Sequence, residues 1–208
     1  MESSRIIDLY LIRHGLTQWN IEKRYQGHTD IPLHREKVSE LNILKDWVLE
    51  GILADAVYSS DLARCMETAR FLWPDSPIIK DSRLRELNFG EWEGLTFDDL
   101  KNSPLYTSWI ADWEEHSPPE GESARQFNDR VDGFMNSLIA KKQNFLTIAA
   151  VTHGGVIRRI ISRYVPEVTF WEIPIPFGKA YQLKLEEKGA GWICSSLSVV
   201  PIQERESM

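Results

Sequence analysis

Ile6-Ile-Asp-Leu-Tyr-Leu-Ile-Arg-His-Gly-Leu-Thr-Gln-Trp-Asn20 is the stretch that decides the fold. From Ile6 to Ile12 it is apolar except for Asp8, the pattern of a buried strand in a parallel sheet. The run stops at Arg13-His14-Gly15. In an open α/β sheet, ligands sit beyond the carboxyl ends of the strands. Gly15 lets the chain turn there and lets a ligand approach the backbone. His14 is a candidate nucleophile, because neutral imidazole attacks phosphorus and releases it again. Arg13 offers planar donors to an anion beside it. Alone, Arg-His-Gly is a weak motif. A second apolar run, Leu146 to Val151, ends in Thr152-His153-Gly154-Gly155. Two buried strands that deliver His-Gly to one sheet edge are hard to explain by packing.

The 208 residues, 42% hydrophobic and 26% charged, suit one globular domain with a sizeable core or a small insertion. A net charge of −7 argues against a general nucleic-acid or anionic-membrane surface. An anionic substrate would need a local basic pocket. Cys65 and Cys194 lack metal-ligand spacing and form no disulfide framework, so both are expected as buried thiols. Met1 to Ser4 is too short and polar for a secretory signal. No run is long enough to cross a membrane, and a cytoplasmic location is the expectation.

Downstream, Arg24 to Leu33 is turn-rich, and its Gln26 and Gly27 either line the pocket at His14 or simply turn the chain. Val38, Leu41, Leu44, Val48 and Leu49 predict one helical face. Ala54 to Tyr58 predicts a strand, followed by Ser59, Ser60 or Asp61 as the cap of a helix from Ala63 to Trp73. Arg64 lies in the first turn of that helix, where a cation is disfavoured. It either contacts an anion or pairs with Glu67. Pro77 to Lys80 is a brief strand.

Leu84 to Thr96 reads as a structured loop with three carboxylates, most of them solvated; Glu86, between Leu84 and Leu87, is the candidate for partial burial and for a general acid. Thr96 with Asp99 and Ser123 with Gln126 predict capping boxes. The first opens a helix to Tyr106, with Trp109 and Trp113 continuing a helical face. The second opens a helix to about Ala140, with Phe127, Val131, Phe134 and Leu138 inward. Residues 84–122 read as an insertion over the active-site edge of a single domain spanning 1–208. Val156 to Tyr164 predicts a helix whose N-terminus suits an anion, with Arg158 and Arg159 on a solvated face. Ala180 to Leu185 and Trp192 to Val199 predict a hairpin, and Gln203 to Met208 a frayed end.

These parts resemble the histidine phosphatase superfamily, the branch that includes cofactor-dependent phosphoglycerate mutases. Leu11 to Asn20 resembles the signature at its phosphorylated histidine, Tyr58 to Arg64 its second block, and Glu86 and Thr152 to Gly155 its third and fourth. The resemblance implies a three-layer α/β/α sandwich with a mostly parallel sheet. It implies that His14 takes the phosphoryl group, that Arg13, Arg64 and His153 bind its oxygens, and that Asn20 and the Gly154 amide add hydrogen bonds. Glu86 would protonate the leaving oxygen and then activate water. Gln26 and Gly27 match a loop lining the substrate pocket.

No metal and no cofactor is implied. The partner is a small phosphorylated metabolite, and the chain is expected as a monomer or homodimer. Phe89 to Thr96 and Pro118 to Ser123 look most like α-ribazole phosphatases and related broad-specificity phosphatases; the mutases carry a longer insertion here. His34 and Lys37 stand where the family usually has Thr and Gly. A mutase and a catalytically silent phosphate-binding protein on the same fold are the alternatives.

Overall fold

The computed structural model describes residues 5–143, 145–166, 168–189 and 191–201. The readings of the first four residues and of Gln203 to Met208 lie outside them. Six strands form one mixed sheet: β1 (Ile6–Arg13), β2 (Ala56–Ser59), β3 (Ile78–Lys80), β4 (Phe145–Thr152), β5 (Ala180–Lys188) and β6 (Gly191–Val200), in the order β3-β2-β4-β1-β5-β6. β1, β2, β3 and β4 run parallel, whereas β5 and β6 return antiparallel as the expected hairpin. The central pair aligns residue by residue, with Arg13 opposite Thr152, so His14 and His153 leave the sheet side by side.

Seven α-helices lie among the described residues: α1 (Gln18–Ile21), α2 (Asn42–Gly51), α3 (Ala63–Leu72), α4 (Phe97–Leu100), α5 (Pro104–Ala111), α6 (Ala124–Ile139) and α7 (Gly154–Tyr164). Strand alternation sorts the core into two halves. Ile7, Leu9 and Leu11 share a buried cluster with Phe127, Val131, Phe134 and Leu138 of α6 and with Val156, Ile157 and Ile160 of α7. Tyr10 and Ile12 belong to a second cluster, with Leu44 and Val48 of α2 and with Cys65, Ala69 and Leu72 of α3. The result is the three-layer α/β/α sandwich.

Both predicted capping boxes are present, Thr96 with Asp99 and Ser123 with Gln126. Other expectations need correction. The helix expected from Thr96 to Tyr106 is two helices, because Pro104 sits in a first turn and cannot continue α4. Ahead of α2 lies a 3-10 helix, Arg35–Leu41, so the predicted face begins at Leu41. Leu49 is 60% exposed, one step round the helix from Val48. No serine or aspartate caps α3 from the preceding position; Leu62 stands there, and Asp30 Oδ1 accepts from the Ala63 amide across a loop (2.7 Å). Cys65 is fully buried, but Cys194, on edge strand β6, is only half-buried.

Candidate active site

The site is assembled on the carboxyl ends of β1, β2 and β4. His14 follows β1, is 4% exposed, and donates its backbone amide to Thr152 O (2.9 Å). Its Nδ1 lies 2.7 Å from the Gly15 carbonyl. A carbonyl only accepts, so Nδ1 carries the proton and Nε2 keeps its lone pair. The His153 ring packs edge-on at a centroid distance of 5.1 Å.

Arg13 donates through Nη1 to the Ile175 carbonyl (2.8 Å), and its guanidinium lies 3.8 Å from the Phe177 ring. Its Nε is buried without a partner. Burial is the main influence on this guanidinium and lowers it to about 10, which leaves it a cation at neutral pH. Arg64 is fully buried. It donates to Gly27 O (2.6 Å), to Thr29 O (2.9 Å) and, through Nε, to His153 Nδ1 (3.3 Å). The alternative Glu67 pair does not form; Glu67 accepts from the Leu33 amide instead (2.9 Å). An arginine buried without a carboxylate partner fits an anion site better than a surface ion pair.

The three carboxylates of the 84–96 loop have separate fates. Glu91 is exposed. Glu93 is not the solvated side chain expected: it accepts from the amides of His28 (2.7 Å), Thr29 (2.6 Å) and Phe89 (3.1 Å), tying two loops together. Gly27 lies so close that a Cβ there would meet Glu93 Oε1 at 2.3 Å and Leu87 O at 2.4 Å. Glu86 alone turns into the site. It is half-buried and accepts from the Gly155 amide at the start of α7 (3.0 and 3.1 Å). Its charge acts on Arg13, Arg64 and Arg158. A Cβ on Gly155 would fall 2.2 Å from Glu86 Oε1, so glycine is required there. Gly154 lies beside Arg13 and Glu86.

Asn20 and Gln26 meet through Thr17, which is fully buried. The Thr17 amide donates to Asn20 Oδ1 (3.1 Å), and its hydroxyl donates to Gln26 Oε1 (2.7 Å). Gln26 Nε2 is left buried and without a partner. Asn20 and Arg13 line a cavity of about 260 Å³ with Lys23, Arg24, Tyr25, Phe97 and Phe177.

Sequence reasoning placed Arg158 on a solvated face. It is half-buried instead, donates to Ile173 O (3.0 Å), and is close enough to Arg13 to lower its proton affinity. The signal was available, since residue 158 lies one helical turn beyond Gly154. Arg159 pairs with Asp132 (2.6 Å). Phe177 was also missed; nothing local marks it, and it arrives because β5 lies next to β1.

Burial, with Arg64 and Arg13 adding to it, holds His14 well below the usual histidine range; burial and then Arg64 do the same to His153. The unfolded chain takes up these protons below about pH 6.5, whereas the folded chain does not. Stability is therefore expected to fall as pH drops through that value, by about 1.4 kcal/mol per pH unit for each histidine. Urea unfolding between about pH 7.5 and about pH 5.5 measures this. His14→Ala should make the slope shallower; equal slopes would contradict a neutral buried His14.

A neutral buried histidine facing two buried guanidiniums, with a carboxylate across from it, at the carboxyl edge of an α/β sheet, is the constitution of an anion-handling enzyme. The chain belongs to the histidine phosphatase superfamily (branch 1), whose family model matches residues 9–198. It is 32% identical over 188 residues to the adenosylcobalamin/α-ribazole phosphatase of Escherichia coli K12, covering 88% of this chain and 92% of that one. It is 30% identical over 165 residues to phosphoglycerate mutase-like protein 4 of Arabidopsis thaliana, covering 76% and 71%. The crystal structure of the α-ribazole phosphatase from Shigella flexneri superposes with a TM-score of 0.79 at 28% identity, covering 91% of this chain and 95% of that one. The chain is thus a histidine phosphatase by sequence and by fold.

Proposed function

We propose that the protein hydrolyses a small phosphomonoester through a phosphohistidine on His14, with α-ribazole 5′-phosphate as the substrate to test first. The observation that carries this reading is the Nδ1-protonated, neutral His14, whose Nε2 lone pair is free beside the cations Arg13 and Arg64. In the form that carries a proton on Glu86, His14 Nε2 attacks phosphorus, the P–O ester bond breaks, and the ester oxygen leaves with that proton, so Glu86 becomes a carboxylate. Arg13, Arg64 and His153 hold the phosphoryl oxygens, with Asn20 and the Gly154 amide beside them. Glu86 then takes a proton from water, which attacks phosphorus and frees His14. Among the described residues, no group of three or more His, Cys, Asp or Glu side chains is placed to hold a metal ion.

The leaving group would enter the cavity beside Arg13 and Asn20; Gln26 is tied to Asn20 through Thr17, and Gly27 supplies a carbonyl that holds Arg64. The Phe97 and Phe177 rings suit a flat base, and among the described residues no carboxylate lines that space. The E. coli and S. flexneri relatives, named as α-ribazole phosphatases, support the same substrate. Trp92, Tyr106 and Trp109 share the core cluster of β1, which supports reading the chain as one domain with 84–122 as a covering insertion. Among the described residues, no helix is long and apolar enough to cross a membrane.

A panel of phosphometabolites, assayed with EDTA present, tests the reading. Phosphate should be released, fastest from α-ribazole 5′-phosphate, and with 3-phosphoglycerate release should outrun isomerisation. Rapid interconversion with 2-phosphoglycerate would make the enzyme a mutase. A loss of activity in EDTA that a divalent ion restores would overturn the metal-independent mechanism.

A further inference from the structure

Both ring nitrogens of His153 are engaged inside the protein. Nδ1 lies 3.3 Å from Arg64 Nε, and Nε2 lies 3.0 Å from Ser60 Oγ. A guanidinium can only donate, so Nδ1 accepts and carries a lone pair. The neutral ring then has its single proton on Nε2, and Ser60 Oγ accepts it. Two other groups could have taken this part. Cys65 Sγ is 3.3 Å from Nε2, but a thiol is a weak acceptor, and its own proton has the Thr152 carbonyl within 3.6 Å. Ser59 Oγ is turned to the Ser60 carbonyl (2.8 Å), whereas the serine oxygen that meets Nε2 is that of Ser60. Ser60 is fully buried just beyond β2, and its amide donates to Val151 O of the neighbouring strand (2.9 Å). Its hydroxyl is therefore fixed relative to β4, the strand that carries His153.

We propose that Ser60 is a positioning residue that holds His153 as the Nε2–H tautomer, with Nδ1 turned toward Arg64 and the phosphoryl site. The proposal rests on the phosphatase reading above. When a phosphomonoester arrives as its monoanion, Arg64 Nε donates to a phosphoryl oxygen and releases Nδ1. Nδ1 takes the proton of the P–OH group: the O–H bond breaks, an N–H bond forms, the negative charge stays on the phosphoryl oxygens and the positive charge goes to the ring. The imidazolium then has both N–H groups satisfied, one by the phosphoryl oxygen and one by Ser60. A serine oxygen does this without adding a charge that would repel the substrate. Without it, Nε2–H would lie buried with no comparable acceptor, and the Nδ1–H tautomer would compete.

Nitrogen NMR of 15N-histidine-labelled protein, read with steady-state kinetics, tests this. In the wild type, His153 should show a protonated Nε2 and an unprotonated Nδ1. Ser60→Ala should mix the tautomers and lower kcat by about 10- to 100-fold, the loss of one hydrogen bond to a charged group, with KM little changed. The alkaline limb of the kcat profile should move to lower pH, because the working imidazolium has lost a partner and gives up its proton more readily. Cys65→Ala touches the same ring and should leave tautomer and kcat unchanged. If Ser60→Ala fails to fold, Ser60→Cys preserves the packing, removes the strong acceptor and should give the same changes. Wild-type kcat in Ser60→Ala, or a loss of activity with the His153 signals unmoved, would overturn the proposal. A wild type that hydrolyses no phosphomonoester, yet shows the tautomer responding to Ser60→Ala, would instead overturn the phosphatase reading and leave the Ser60–His153 assignment standing.

Discussion

His14→Ala is expected to lower phosphomonoester turnover by at least about 10⁴-fold, the scale of losing a nucleophile whose chemistry no neighbour can take over. The replacement removes the one side chain at this edge with a free, desolvated lone pair. His153, 5.1 Å away ring to ring, has Nε2 tied to Ser60 and an Nδ1 that Arg64 holds in the free site and that takes up a proton once substrate binds, so it cannot substitute for His14. Arg13 and Arg64 remain protonated and have no lone pair to offer. Substrate binding should survive, since both guanidiniums are held by backbone carbonyls rather than by His14. Rapid quenching of the wild type with a 32P-labelled substrate should trap an acid-labile phosphoenzyme, absent from the variant. A label on a serine, or turnover near the wild-type rate in the variant, would remove His14 from the mechanism.

The second large effect is expected at Glu86. An alkoxide leaving from phosphorus is strongly basic and needs a proton in the transition state. His14 cannot supply it while attacking, and His153 serves better against the phosphoryl oxygens. Of the three loop carboxylates, Glu93 is consumed by three backbone amides and Glu91 is exposed, which leaves Glu86 facing the arginines. Glu86→Gln keeps an oxygen to accept from the Gly155 amide, so the helix contact should survive. The rate on alkyl phosphates should fall by about 10²–10⁴-fold. The phosphorylation step with p-nitrophenyl phosphate should fall far less, because nitrophenolate leaves without a proton. That step must be read in the initial burst, since slow dephosphorylation can mask it at steady state. Equal losses for both substrate types would move the role of acid to His153 or Glu91.

Much of this was legible in the chain. The apolar runs Ile6 to Ile12 and Leu146 to Val151 predicted buried strands, the two capping boxes predicted helix starts, and the paired His-Gly ends predicted a site at one sheet edge. These are local signals, set by side-chain spacing and by hydrogen bonds that span three or four residues. Where a local rule met a nonlocal partner, it misled. A first-turn arginine reads as costly until Gly27 and Thr29 supply carbonyls to Arg64 from another loop. A polar-loop glutamate reads as solvated until three amides converge on Glu93.

The sequence by itself determined the strands, the capped helix starts at Thr96 and Ser123, and the residue types gathered at the strand ends. Periodicity and capping depend only on neighbours along the chain. The tertiary structure decided the rest: which carboxylate of the 84–96 loop faces the arginines, that Arg158 and Phe177 border the site, and that Ser60 rather than Ser59 meets His153. Those choices depend on β2, β4, β1 and β5 lying side by side. Strand order brings together groups as distant in the chain as Ser60 and His153, and no spacing along the chain encodes a 3.0 Å contact across it.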